Sequence, residues 1–169
     1  MSNDPVSPWL ARGLYLFGFA LAMTAAIDLF TTVWPMRPSD IAWRYGFLGL
    51  TAGYLQTPTL GLALMIGTAI WARNRTVLRL AGFVALVVSL LLMVAMGLFG
   101  LDVIQMRGLR AEEMQSAVMA GGMFQELKYF IAVLVLVFLG FGALKTAKAT
   151  SSDWDTRKGR SPGIVSSAG

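Results

Sequence analysis

Charge is missing from four long stretches of the chain, and the polar residues collect between them. From Gly13 to Trp34 the one charged side chain is Asp28, and from Gly46 to Ala72 and from Leu80 to Leu101 there is none. A fourth uncharged run, Tyr129 to Leu144, is bracketed by Lys128 and Lys145. Crossing hydrocarbon takes about 20 largely apolar residues, because every amide there must bond within its own helix. The pattern therefore predicts an all-α polytopic membrane protein, a bundle of four transmembrane helices at 13–34, 46–72, 79–101 and 124–145. The fourth core is short, but its flanking lysines can snorkel to opposite interfaces.

The connections refine this map. Only 73–76 separate the second and third runs, which makes those helices antiparallel neighbours. Pro35 and Pro38 stop the first helix and open a short loop to Tyr45. The longest connection, 102–123, repeats apolar residues at Leu109, Met114, Ala117 and Val118 opposite Arg110, Glu112, Glu113 and Gln115. That spacing suggests a short amphipathic helix on the outer membrane surface, ended by Gly121-Gly122. Residues 146–169 are rich in Ser, Thr, Gly, Lys and Ala, the composition of a disordered tail. No internal repeat relates the helix pairs, which argues against an inverted-repeat transporter in one chain.

Orientation comes from the basic residues. Arg12, Arg73, Arg75, Arg79, Lys145, Lys148, Arg157, Lys158 and Arg160 fall on one side, nine against the five of Arg37, Arg44, Arg107, Arg110 and Lys128 on the other. The excess puts residues 1–12 and the tail in the cytoplasm, and the expected location is a bacterial inner membrane. Trp9 and Trp71 would mark the inner interface, and Trp34, Trp43 and Tyr45 the outer one. A rival reading takes Arg12 and the following apolar run as a secretory signal cleaved after Ala20-Leu21-Ala22. The apolar stretch runs on well past that point, longer than the about 7–15 residues such signals use.

Composition narrows the chemistry. With 56% hydrophobic and 14% charged residues and a mean hydropathy of +0.65, the chain lacks the charge of a soluble domain. Its net charge of +5 is not gathered on one soluble face, so nucleic acid is not an expected partner. There is no His and no Cys. That removes the usual haem, zinc and iron–sulfur ligands, imidazole acid–base catalysis and thiolate chemistry, so no cofactor, no metal and no catalytic residue is expected.

Two kinds of candidate remain. The first is a polar group within the membrane. Asp28 lies about 9 Å below the outer interface and shares a helical face with Thr24, Thr31 and Thr32. An ionisable group there is by default a candidate site, for a proton or a cation, unless it pairs with Arg37 or Arg44. Gln56 and Pro58 sit mid-helix, where proline frees the carbonyl of Tyr54 and predicts a kink. The second kind is helix packing. Gly49, Gly53, Thr57 and Gly61 form one small-residue stripe, Gly18, Ala22 and Ala26 another, and Gly97 with Gly100 a weaker third. Such stripes let backbones approach in lipid, either within the bundle or against another subunit. Asp102, Glu112, Glu113 and Glu126 form a loose outer acidic group that reads as solvated surface.

The run from Asp28 through Trp34-Pro35 and Trp43 to Pro58-Thr59-Leu60-Gly61-Leu62-Ala63-Leu64 resembles the first helical hairpin of a bacterial membrane family known from cyanobacterial hormogonium-polysaccharide proteins. The resemblance covers about a quarter of the chain and rests on boundary aromatics and a Pro-x-x-Gly-Leu-x-Leu motif. It implies a role in the cell envelope or in a membrane complex, and no active-site residue. Members of that family often carry a long soluble C-terminal portion where this sequence has a short tail. The expected function is that of a non-catalytic accessory or assembly subunit, with lipid and other membrane subunits or further copies as partners. The alternative is a small oligomeric proton- or cation-coupled carrier using Asp28, gated at Pro58. A membrane enzyme would need Asp28 to meet Asp40, Glu112, Glu113 or Glu126.

Overall fold

The apolar stretches are helical throughout, and the differences from expectation lie mainly at their ends. A computed structural model describes the backbone of residues 7–109 and 112–158, and the side chains of 7–108 and 115–149. The helices are α1 (Pro8–Val33), α2 (Ile41–Tyr54), α3 (Gln56–Trp71), α4 (Arg75–Leu109) and α5 (Glu112–Lys158). Three stretches, Pro8–Val33, Arg75–Gly108 and Gln115–Ala149, are long and apolar enough to cross a membrane. The protein is thus an all-helical membrane protein.

Local chemistry accounts for the boundaries. Proline at the first position of α1 needs no N–H partner, so the helix starts at Pro8, five residues before its apolar run. Asp40 caps α2, its carboxylate accepting from the amides of Ala42 at 2.9 Å and Trp43 at 3.4 Å. The helix is interrupted near the proline: α2 gives way to α3 at Leu55, where Pro58 has no amide to offer the Tyr54 carbonyl. Leu55 keeps right-handed helical dihedrals, and the Thr59 amide donates to its carbonyl at 3.2 Å. The chain therefore passes from α2 to α3 without unwinding. At the other end of α3, Arg73 takes a positive φ of 51°, and the amides of Arg73 and Asn74 donate back to Ile70 and Ala69. That is a Schellman ending, and Asn74 then caps α4 by accepting from the Val77 amide at 3.2 Å.

Beyond Leu101 the structure departs from the sequence reading. The connection 102–123 holds no separate surface helix: α4 continues to Leu109, α5 begins at Glu112, and Gly121-Gly122 lie inside α5. Gly122 is buried against Val103 of α4, so this part of the segment serves the α4–α5 pair. Residues 110–111 lie outside the described residues. The expected tail also begins later, because α5 runs on to Lys158 with Ala147 fully buried. Residues 159–169 of that tail, and 1–6 of the N-terminus, lie outside the described residues.

Packing forms three ranks. α4 and α5 are an antiparallel pair, α2 and α3 lie across them, and α1 packs on α3 with slighter contact to α2. Among the described residues the α1 backbone does not approach that of α4 or α5. One cluster joins Leu48, Ala52, Phe99, Val103, Tyr129 and Leu136, and a second, towards the α3–α4 turn, joins Ile66, Ala69, Leu78, Ala81, Ala143 and Ala147. Two glycine pairs allow the closest backbone approaches. A Cβ on Gly61 would collide with the Gly18 carbonyl, and one on Gly140 would come 3.0 Å from the carbonyl of Gly82.

Candidate functional site

The polar residues singled out on α1 do share a face, and that face is open. α1 buries a narrow seam of Ala11, Gly18, Ala25 and Val33, spaced nearly every seven residues. Asp28 lies three residues beyond Ala25, off the seam, and is exposed together with Thr24, Thr31 and Thr32. The threonine hydroxyls do not serve the carboxylate. Thr24 donates to the Ala20 carbonyl at 2.8 Å, and Thr31 and Thr32 both donate to the carbonyl of Asp28 itself, at 3.0 and 2.7 Å. Among the described residues neither Arg37 nor Arg44 pairs with Asp28. The surrounding surface of α1 is apolar, with Phe17, Phe19, Met23, Ile27 and Phe30 exposed.

Arg44 is engaged elsewhere, in a pair not anticipated from the sequence. Its guanidinium clamps Asp102 from two nitrogens, Nη2 to Oδ1 at 2.7 Å and Nε to Oδ2 at 3.2 Å, while Nη1 donates to the Pro38 carbonyl at 3.2 Å. Asp102 is buried, its side chain 3% exposed against 34% for Arg44, so it is not part of a solvated acidic surface. The hydrogen bond to Asp102, reinforced by the charges of Asp102 and Asp40, raises the Arg44 pKa above its ordinary value despite some desolvation. The pair fastens the start of α2 to α4 where α1 ends. Below it Tyr45 stacks on Phe99, Phe99 leans on Tyr129, and the buried Tyr129 hydroxyl donates to the Leu48 carbonyl at 2.6 Å. A signal for this knot was present. Arg44 precedes Leu48, Ala52 and Leu55 at helical spacing, and Asp102 follows Phe99 by three, so both point inward.

The remaining candidates separate. Gly18 meets Gly61, and the Ala22 amide lies 3.2 Å from where a Gly61 Cβ would be. Those residues therefore pack α1 on α3 within the bundle. Ala26 is exposed, Thr57 is half-buried, Gly53 faces open space, and Gly49 looks towards Phe99. The residues of the α2–α3 stripe thus do not share one packing face. Ala20-Leu21-Ala22, the alternative cleavage point, lies in the middle of α1.

Two cavities open at the helix surfaces. One of about 360 Å³ sits at the α2–α3 junction, lined by Leu55, Gln56, Thr59, Lys128, Ile131 and Val135. A larger one of about 800 Å³ runs between α4 and α5, with Met96, Gly100, Met123, Glu126, Leu127 and Phe130 among its walls. Neither is lined by Asp28. Asp40 is occupied as the α2 cap, and Asp28 and Glu126 stand on helices whose backbones do not approach each other. The chain matches no family model, no curated protein and no solved structure.

Proposed function

We propose that the protein is a non-catalytic subunit of a larger membrane complex, held in that complex through the open flank of α1. The observation that supports this is the position of Asp28, a carboxylate on an apolar helix seated by one narrow seam. A charge facing hydrocarbon is costly, and intramembrane acids normally face protein or water. A partner helix offering a Lys, an Arg or a hydrogen-bond donor would relieve that cost. The resemblance of the first hairpin to an envelope-associated family points the same way. The carrier reading asks Asp28 and the Pro58 bend to share a cavity, and the bend's cavity draws its polar lining from Gln56, Thr59 and Lys128 instead.

The proposed topology has four crossings. α2 and α3 have 14 and 16 residues, each shorter than the about 20 needed to span alone, so they cross together as one bent helix. Both ends of the chain then lie on the cytoplasmic side of a bacterial inner membrane, where Arg73, Arg75 and Arg79 collect.

Purification in a mild detergent, followed by identification of co-purifying chains, tests the assignment. The wild-type protein is expected to bring down a stoichiometric membrane partner, and Asp28→Leu is expected to lose it while the isolated chain melts no earlier. A strictly solitary wild-type protein, or a partner indifferent to Asp28→Leu, would overturn it.

A further inference from the structure

The cavity between α4 and α5 is an unusual place for a charge. Its walls come from Met96, Val103, Ile104, Met123, Leu127 and Phe130, and Glu126 is the one charged residue among them. Gly100 makes the room: a Cβ there would come 3.1 Å from a Glu126 carboxylate oxygen. Among the described residues no cation pairs with Glu126. Lys128, two residues on, lines the other cavity, and Arg44 is committed to Asp102. An acid is thereby held at the rim of an apolar groove without a counter-charge.

The depth of the groove selects its occupant. In the α4–α5 register Gly100 stands opposite Glu126 and Phe99 beside Tyr129, one turn below the Arg44–Asp102 pair. Met96, Leu127 and Phe130 belong to two stretches long and apolar enough to cross a membrane, where acyl chains would run alongside them. Gly100 stands at the end of the uncharged run 80–101 and Glu126 just before the run 129–144, which sets the carboxylate near the edge of the hydrocarbon. Its volume falls within the about 300–1,000 Å³ of ordinary ligand sites. Met96, on the inward side of Glu126, suits a flexible chain, since thioethers adapt to irregular contacts.

We propose that this groove binds one phospholipid with a primary ammonium head from the leaflet at the α4–α5 turn, its acyl chain along Met96, Leu127 and Phe130 and its ammonium on Glu126. A primary ammonium donates hydrogen bonds to a carboxylate, and a choline head has no N–H to donate. The site lies on helices that the α1 backbone does not approach and stands whether or not α1 has a partner.

Photo-cross-linking in vesicles decides it. Full-length protein is reconstituted in phosphatidylcholine vesicles containing a small fraction of phosphatidylethanolamine whose acyl chain carries a diazirine. A parallel sample carries the same chain on phosphatidylcholine, and labelled residues are mapped by mass spectrometry. Phosphatidylethanolamine is expected to label the groove residues at least fivefold more than phosphatidylcholine, and Glu126→Gln to bring that ratio near one. Leu127→Trp, at a residue 53% exposed and on the acyl path, is expected to fill that path and suppress labelling with an unchanged melting curve. Should Glu126→Gln fail to fold, the wild-type head-group ratio and Leu127→Trp still decide. Equal labelling by the two lipids, an undiminished preference in Glu126→Gln, or protein–protein cross-links in the groove in place of lipid would overturn the proposal.

Discussion

Arg44 and Asp102 carry unequal shares of their ion pair, because one end reaches water and the other does not. Arg44→Ala strands a carboxylate that is 3% exposed, whereas Asp102→Asn leaves a guanidinium that is a third exposed and still bound to the Pro38 carbonyl. Stranding a buried charge costs more than the pair itself contributes. Arg44→Ala is therefore expected to lower the melting temperature in detergent more than Asp102→Asn. Arg44→Lys should not rescue it, since a point charge cannot reproduce the two-pronged contact. Raising the pKa of a base adds stability that is present below its ordinary pKa and lost only as pH climbs through the raised value. For a guanidinium that window lies far into alkali, so the pair contributes no step to stability between pH 6 and 10. A second residue-scale prediction concerns Arg73, whose φ of 51° belongs to the left-handed region. Glycine meets no Cβ penalty there, so Arg73→Gly is expected to stabilise the α3–α4 turn by about 0.5–1 kcal/mol, measured by thermal unfolding.

The two small-residue stripes look alike in sequence and differ in their surroundings. A Cβ on Gly61 runs into the backbone of α1, which cannot retreat without opening the seam. Gly61→Ala is expected to destabilise by about 1–3 kcal/mol, as overpacking does. Gly53 has open space around it, and Gly53→Ala should gain about 0.5–1 kcal/mol from helix propensity alone. Paired melting curves of the two variants check the contrast. The same comparison shows what the sequence could and could not reveal about elements. The break at Leu55 was legible because proline's missing amide acts locally, and the apolar runs were legible because hydrocarbon imposes length. The ends of α4 and α5 were not. Gly121-Gly122 carries a turn signal, but Val103 occupies the space beside Gly122, and tertiary packing keeps the helix continuous. The inward turn of Asp102 was hidden for a similar reason: its neutralising partner is 58 residues away, beyond any window in which spacing can be read.

Across the whole molecule the open question is which way the ranks of helices face the two compartments, and the absence of cysteine makes it tractable. Single-cysteine variants carry no background thiols, so a membrane-impermeant maleimide reports sidedness directly. Ser39, in the loop between α1 and α2, and Thr76, at the start of α4, are both exposed, and a bent α2–α3 crossing puts them on opposite faces of the membrane. In intact spheroplasts Ser39→Cys is expected to react and Thr76→Cys to stay unlabelled until the membrane is permeabilised. Labelling of both before permeabilisation would mean that α2–α3 turns back without crossing, leaving three spans. Labelling of Thr76→Cys alone would keep four spans and reverse the orientation proposed from the arginines at 73, 75 and 79. The basic cluster supplies the leverage for a second arm of the experiment. Orientation follows Lys and Arg near the ends of spans, so replacing all three arginines by glutamine leaves Arg12, Lys145, Lys148, Arg157, Lys158 and Arg160, six, against five on the other side. With the bias nearly erased, labelling at Ser39→Cys and Thr76→Cys is expected to become mixed in that background.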